Sequence, residues 1–229
     1  MGYWKTLWEE HARFASAQHP QCQVMRTLNK KPVTGTALVM LLRDVEKKMA
    51  IRPGDEILDL CCGNGWITTH LASKCKHVTG VDFAQGLIDQ IHADRYGNIS
   101  TVTADIREVD FEEGSFDRAI IYASIQYLSH REACSLIESV ARWLRDGGFF
   151  FIGDVPDRGR MWNFFDTPER RRVYFDSVKN EEPILGTWFD PQWLVAAAEH
   201  CGFEAEIRLQ PDQLPNSHYR FDLKATRCS

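Results

Sequence analysis

Between residues 56 and 153, short apolar runs alternate with amphipathic ones, and this alternation restricts the fold more than any other feature of the chain. The runs at 56–60, 77–81, 99–103, 116–122 and 149–153 read as strands, because each is short, apolar and bounded by Gly, Pro or acidic residues. The stretches at 66–73, 86–93 and 131–144 carry helical spacing. Strand and helix repeated in this way close by right-handed crossovers into a parallel sheet with helices on both faces. The strands lack a polar face, as a sheet covered on both sides requires.

The flanks add a cap and an insertion. Residues 3–17 read as an amphipathic helix through Trp4, Leu7, Trp8, His11 and Phe14. Residues 34–48 form a second helix, closed before the turn signal Arg52-Pro53-Gly54. Residues 155–189 break the alternation with Pro156, Pro168 and Pro183, several aromatics and the run Arg170-Arg171-Arg172, with a helix near 168–179. A helix at 191–200 follows, then strands at 203–209 and 218–225 that read as an antiparallel pair. The expected fold is α/β and Rossmann-like: a doubly wound, mostly parallel seven-stranded sheet with an antiparallel C-terminal pair and a helical cap. All 229 residues are read as a single domain, with a cap (1–48), a core (49–154), a lid insertion (155–189) and a closing helix and strand pair (190–229).

Composition narrows the partners. A hydrophobic fraction of 44% and a charged fraction of 26% describe an ordinary globular chain, and a net charge of −5 disfavours nucleic acid, whose phosphates call for a basic surface. No apolar stretch is long enough to span a bilayer, and the first fifteen residues lack the apolar centre of a secretory signal. Seven cysteines without a CxxC pair, two of them the adjacent Cys61 and Cys62, suit reduced thiols better than disulfides or a metal site. These features point to a cytoplasmic protein with no metal, monomeric or homodimeric.

Three strand tips carry chemistry. The run Ile57-Leu58-Asp59-Leu60-Cys61-Cys62-Gly63-Asn64-Gly65 passes from a strand through a glycine turn into a helix, where bare backbone can approach a ligand. The dinucleotide pattern G-x-G-x-x-G fails, since Thr68 stands at its third glycine, and no Gly-Lys-Ser/Thr of a P-loop follows. The next strand ends in Asp82, 23 residues after Asp59, where a carboxylate can accept from both hydroxyls of a ribose or simply cap a helix. The third strand runs into Asp105-Ile106, which suits an adenine edge or an ordinary loop. A glycine turn and two acids on three consecutive tips share the end of the sheet where such folds bind ligands.

With these tips the chain resembles the class I S-adenosylmethionine-dependent methyltransferases, well over 34–154 and more loosely over the last strands. The resemblance implies that S-adenosylmethionine is the cofactor and S-adenosylhomocysteine the product. It implies that Asp59, Cys61, Gly63 and Gly65 meet the methionine part, Asp82 the ribose, Phe83 the adenine face, and Asp105 with Ile106 the adenine edge. Tyr122 would lie beneath the sulfonium, with Tyr3 and Trp4 of the cap nearby. The chain departs from the family's D-x-G-x-G-x-G by placing Cys61 at the first glycine, a DxCCGxG variant similar to that of the quinone-biosynthesis methyltransferases. Cys61 must then hold a backbone angle that a Cβ accepts.

The Asn/Asp-Pro-Pro-aromatic motif of amino-group DNA enzymes is absent where Tyr122-Ala123-Ser124-Ile125 stands, as is a Pro-Cys dipeptide, which leaves a small-molecule substrate as the expectation. The segment 214–224 faintly resembles methyltransferases of secondary-metabolite or sugar pathways. The alternatives are an RNA or protein methyltransferase and a non-catalytic cofactor-binding partner subunit. A nicotinamide oxidoreductase would want the third glycine or a Tyr-x-x-x-Lys pair, and neither is present. His130, His218 and Asp154 are the candidates for moving the acceptor's proton, each with a plain structural role open to it as well.

Overall fold

The computed structural model describes residues 2–14, 17–28 and 31–228. Helix α1 (Tyr3–Ala12) and the short α2 (Pro20–Gln23) lead into a two-stranded hairpin, β1 (Thr27–Leu28) with β2 (Lys31–Pro32), and then α3 (Gly35–Met49). The core follows as β3 (Glu56–Leu60), α4 (Trp66–Ala72), β4 (His77–Asp82), α5 (Gln85–Ile88), β5 (Ile99–Thr103), β6 (Phe116–Tyr122), α6 (His130–Trp143) and β7 (Leu144–Pro156). The chain closes with α7 (Met161–Phe164), α8 (Pro168–Lys179), α9 (Pro191–His200), β8 (Phe203–Arg208) and β9 (Arg220–Arg227).

The seven-stranded sheet runs β5-β4-β3-β6-β7-β9-β8. The first five strands in that order pair in parallel, and β9 runs antiparallel between β7 and β8. Strand order reverses between β3 and β6, so the crevice beyond their carboxyl ends opens there, as the alternation predicts for a doubly wound sheet. Alternate residues of β3 serve opposite faces. Ile57 packs with Val45, Met49 and Leu71 of α3 and α4, while Leu58 and Leu60 pack with Ile137 and Leu194 of α6 and α9. Both faces are therefore dry, which explains the absence of a polar alternation.

Helix starts follow local chemistry. The Thr34 hydroxyl accepts from the Ala37 N–H, and Ser129 and Glu132 form a reciprocal capping box at α6. Three expectations need correction. The helix read over 86–93 is only α5, a single turn, followed by a 3-10 turn at Ala93–Arg95, because His92 enters the left-handed region. The strand read at 149–153 is part of the longer β7, whose residues 145–148 form a bulge, with Gly147 at φ +73° and β6 pairing jumping from Leu144 to Phe149. The strand read at 218–225 starts later, at Arg220, and the 27–32 hairpin is an addition. Residues 15 and 16 of the expected 3–17 helix lie outside the described residues; α1 itself ends at Ala12. Helix α8 matches the insertion helix, but none of its residues is buried.

Candidate functional site

The tips of β3, β4, β6 and β7 form the floor of a cleft of about 720 Å³. The cap roofs it with Trp4, Trp8 and Val24–Thr27, and the insertion contributes Phe164, Arg170 and Leu185. The segment 210–220 closes the far side with Gln210, His218, Tyr219 and Arg220. Trp162 and Phe175 of the insertion point outward, 47% and 51% exposed, so only part of the expected aromatic lid faces the cleft.

At the β3–β4 side the groups are acids and bare backbone. Gly63 and Gly65 hold φ +56° and +74°, and a Cβ on Gly65 would meet Ile91 Cγ1 at 2.7 Å. Asp82 ends β4 with Oδ2 accepting from the Gly63 N–H (3.0 Å) and Oδ1 from the Ala84 N–H (2.9 Å). Its carboxylate thus fixes both the glycine turn and the loop that leads into the next helix. Asp59 is buried and accepts from the Thr68 hydroxyl at 2.7 Å. Burial pushes its carboxyl up to about 7; the Thr68 bond opposes this and the neighbouring Asp82 adds to it.

Backbone strain lines the floor. Cys61 at the tip of β3, Ala123 after β6 and Asp154 in β7 hold φ +57°, +54° and +59°. Cys61 takes the left-handed region, which a Cβ tolerates at a cost of roughly 1–2 kcal/mol. Burial also pushes its thiol well above the usual range, so Cys61 serves as a neutral wall. Asp154 is the extra residue of a bulge, since β9 pairing passes from Ile152↔Leu223 to Val155↔Phe221, and the bulge turns its carboxylate into the cleft.

At the β7–β9 side two arginines meet that carboxylate. Arg26 Nη1 donates to Asp154 Oδ2 at 3.2 Å, and Arg220 Nη1 lies 3.5 Å from the same oxygen while donating to the Asp154 carbonyl. Gln210 donates to Asp154 Oδ1 and to Asp222 Oδ1, and behind them Lys48 bridges Asp222 and Asp44 at 2.6 Å each. Burial pushes the Asp154 carboxyl up, but Arg220, Arg26 and the Gln210 bond together hold it below the usual carboxylate range. The Arg26 guanidinium sits 5.4 Å from the Trp66 ring and 5.0 Å from the Tyr122 ring, a stacked cation between two aromatics.

Of the residues predicted from sequence, Asp59, Cys61, Gly63, Asp82, Phe83, Tyr122, Trp4, Asp154 and His218 line this cleft. Gly65 lies one step behind, as the N-cap of α4. Tyr3 does not line it; its ring packs on Trp4 and is half exposed. Asp105 does not either, because Arg107 grips its carboxylate with two bonds of 2.9 and 2.6 Å, and Ile106 packs into the α6 side of the core. His130 stands in the first turn of α6 outside the cleft, its ring against Phe189 and Trp193. Arg26, Arg220 and Trp66 escaped the sequence reading. Arg26 has no motif around it. Arg220 and Asp222 alternate with apolar residues, which reads as a solvated strand face, yet both are buried. Among the described residues no group of side chains is suited to hold a metal ion.

Comparison with known proteins places this architecture. Residues 57–148 match the family model described as "Methyltransferase domain". A curated relative, phosphoethanolamine N-methyltransferase 1 of Triticum aestivum, is 29% identical over 161 residues, covering 65% of this chain and 29% of its own length. A solved S-adenosylmethionine-dependent methyltransferase of Methanosarcina mazei superposes with TM-score 0.64 at 21% identity, over 80% of this chain and 97% of its own. Phosphoethanolamine N-methyltransferase 1 of Haemonchus contortus, solved with phosphoethanolamine and S-adenosylhomocysteine, gives TM-score 0.69 at 16% identity, over 98% of this chain and 48% of its own. The chain thus spans less than a third of the wheat relative. Fold and matched segment define the class: residues 57–148 match a methyltransferase domain, and the sheet they belong to has the fold of solved S-adenosylmethionine-dependent methyltransferases.

Proposed function

We propose that the whole protein is an S-adenosylmethionine-dependent methyltransferase acting on a small molecule held in the cleft between the sheet tips, the N-terminal cap (1–48) and the insertion (155–189). The observation that carries this reading is the division of one cleft into a glycine-and-acid side on β3 and β4 and an aromatic, arginine-bearing side on β6, β7 and β9. The first side fits the cofactor. The open backbone of Gly63 and the buried carboxylates of Asp59 and Asp82 suit a ligand with an ammonium and a ribose, and Phe83 offers an aromatic face. The second side is left for the acceptor. A roofed cleft in a chain of net charge −5 favours a metabolite over RNA, and the wheat relative, named for a phosphoethanolamine N-methylation, is consistent with that.

S-Adenosylmethionine supplies an electrophilic methyl group on a sulfonium. The protein's own tasks are alignment, water exclusion and proton handling. Asp82 anchors the sugar end through a carboxylate already fixed by two N–H donors, and Asp59 balances a cationic amine. Trp4 and Trp8 both pack against Tyr127 above the floor and keep water out (Trp4 to Tyr127 4.9 Å, Trp8 to Tyr127 5.9 Å). Asp154, held ionised by two arginines, positions rather than accepts a proton. His218, exposed on the cleft rim, is the group placed to take one from a hydroxyl or ammonium acceptor. The test is transfer of a labelled methyl group from S-adenosylmethionine into a fractionated metabolite extract, beside RNA and protein fractions. Label in the small-molecule fraction supports the reading. Cofactor binding without transfer to any fraction would return it to a non-catalytic partner subunit.

A further inference from the structure

The cleft is electrically polarised, and its basic end is short of acceptors. Among the described charged residues lining that end, Arg26 and Arg220 face a single carboxylate, Asp154, while Arg170 is paired with Asp166. Lys48, Asp44 and Asp222 complete the network but do not line the cleft, so the balancing negative charge lies behind the cations. Arg220 is buried, with 7% of its side chain exposed, and its Nε has no hydrogen-bond partner; neither has Nη2 of Arg26. A buried guanidinium donor left unmatched is unfavourable, and an anion is what such forks match best. The surrounding Tyr122, Tyr127 and Tyr219 phenols are all pushed up by burial, so none supplies the missing negative charge at neutral pH.

Resting on the methyltransferase reading above, we propose that the acceptor carries a compact anionic group, a carboxylate or a phosphate, bound by Arg220 together with Arg26 beside Asp154. The anion would lie at the β7–β9 end and the reacting atom toward Tyr122, so that the acceptor spans from charge to methyl donor. Arg220 then determines which molecules are methylated, while Asp59 and Asp82 determine cofactor binding.

The experiment titrates inorganic phosphate and, separately, acetate into protein saturated with S-adenosylhomocysteine, following heat and tryptophan fluorescence, with chloride at matched ionic strength as control. Binding of either anion above the chloride control is expected, and whichever is tighter identifies phosphate or carboxylate as the group recognised. In Arg220→Gln that anion affinity falls at least tenfold while S-adenosylhomocysteine affinity stays within twofold, and Arg220→Lys recovers part of it. No anion binding in the wild type, or full binding in a folded Arg220→Gln, overturns the proposal. So does an Arg220→Gln protein that loses S-adenosylhomocysteine instead, because the arginine then serves the cofactor. If Arg220→Gln does not fold, Arg26→Gln and the anion-induced rise in wild-type melting temperature carry the same decision. A wild type that fails to bind S-adenosylhomocysteine refutes the methyltransferase reading itself, a separate failure.

Discussion

Asp82 is the residue on which the cofactor side turns. It fixes the Gly63 N–H and the Ala84 N–H and still has lone pairs toward the cleft. Asp82→Ala is expected to weaken S-adenosylhomocysteine binding by about 2–4 kcal/mol, the worth of one or two charged hydrogen bonds, as read by calorimetry on folded protein. Asp59 sets a pH dependence. Its folded value of about 7 lies above the ordinary carboxylate, so the empty native state holds a proton that the unfolded chain has released. Stability from this group is full below pH ~4 and declines as pH rises toward 7. Affinity for the cationic cofactor should move the other way, rising between pH 6 and 8 with proton release on binding. Calorimetry in buffers of different ionisation enthalpy measures that release, and Asp59→Asn should abolish it. These two acids were legible in the sequence because each stands in the last two residues of an apolar strand. The arginines were not: their meaning comes from a bulge at Asp154 and from a strand covered on both faces, neither of which leaves a local pattern.

At the scale of elements, the cap and the core meet through a narrow contact. A Cβ on Gly86 of α5 would come within 2.5 Å of the Ala12 carbonyl at the end of α1. Gly86→Val is therefore expected to lift α1 from α5, raise the proteolytic sensitivity of residues 2–26 and lower cofactor affinity, while the sheet keeps its far-ultraviolet signature. Unchanged proteolysis would show that the two helices do not depend on that approach. The parallel strands β3 to β6 could be placed from hydropathy because burial on both faces leaves an unbroken apolar run. The 27–32 hairpin could not, since strands of two residues have no period to read, and α5 shortened because His92 and the following turn, not hydropathy, decide where it stops.

At the scale of the molecule, a ligand that bridges cap and core should stabilise both. S-Adenosylhomocysteine at a hundred times its dissociation constant adds about 2.7 kcal/mol by mass action, which corresponds to a rise of roughly 5–10 °C in melting temperature for a chain of this size. The doubly wound topology makes this coupling natural. The strand-order reversal at β3 and β6 puts the opening in mid-sheet, and the closing pieces come from both ends of the chain. The overall sheet was readable from the alternation alone, whereas the roof depended on contacts between residues separated by more than a hundred positions, such as Arg26 with Asp154.

The left-handed residues along the floor have a practical corollary for anyone wishing to make this protein hardier. Cys61 and Asp154 contribute a wall and a charge, so glycine there would change what the cleft presents. Ala123 contributes only a methyl group. Ala123→Gly should raise thermal tolerance by a few degrees, the effect of relieving about 1 kcal/mol, and leave ligand affinities where they were. The floor thus holds one position where durability can be gained without altering recognition.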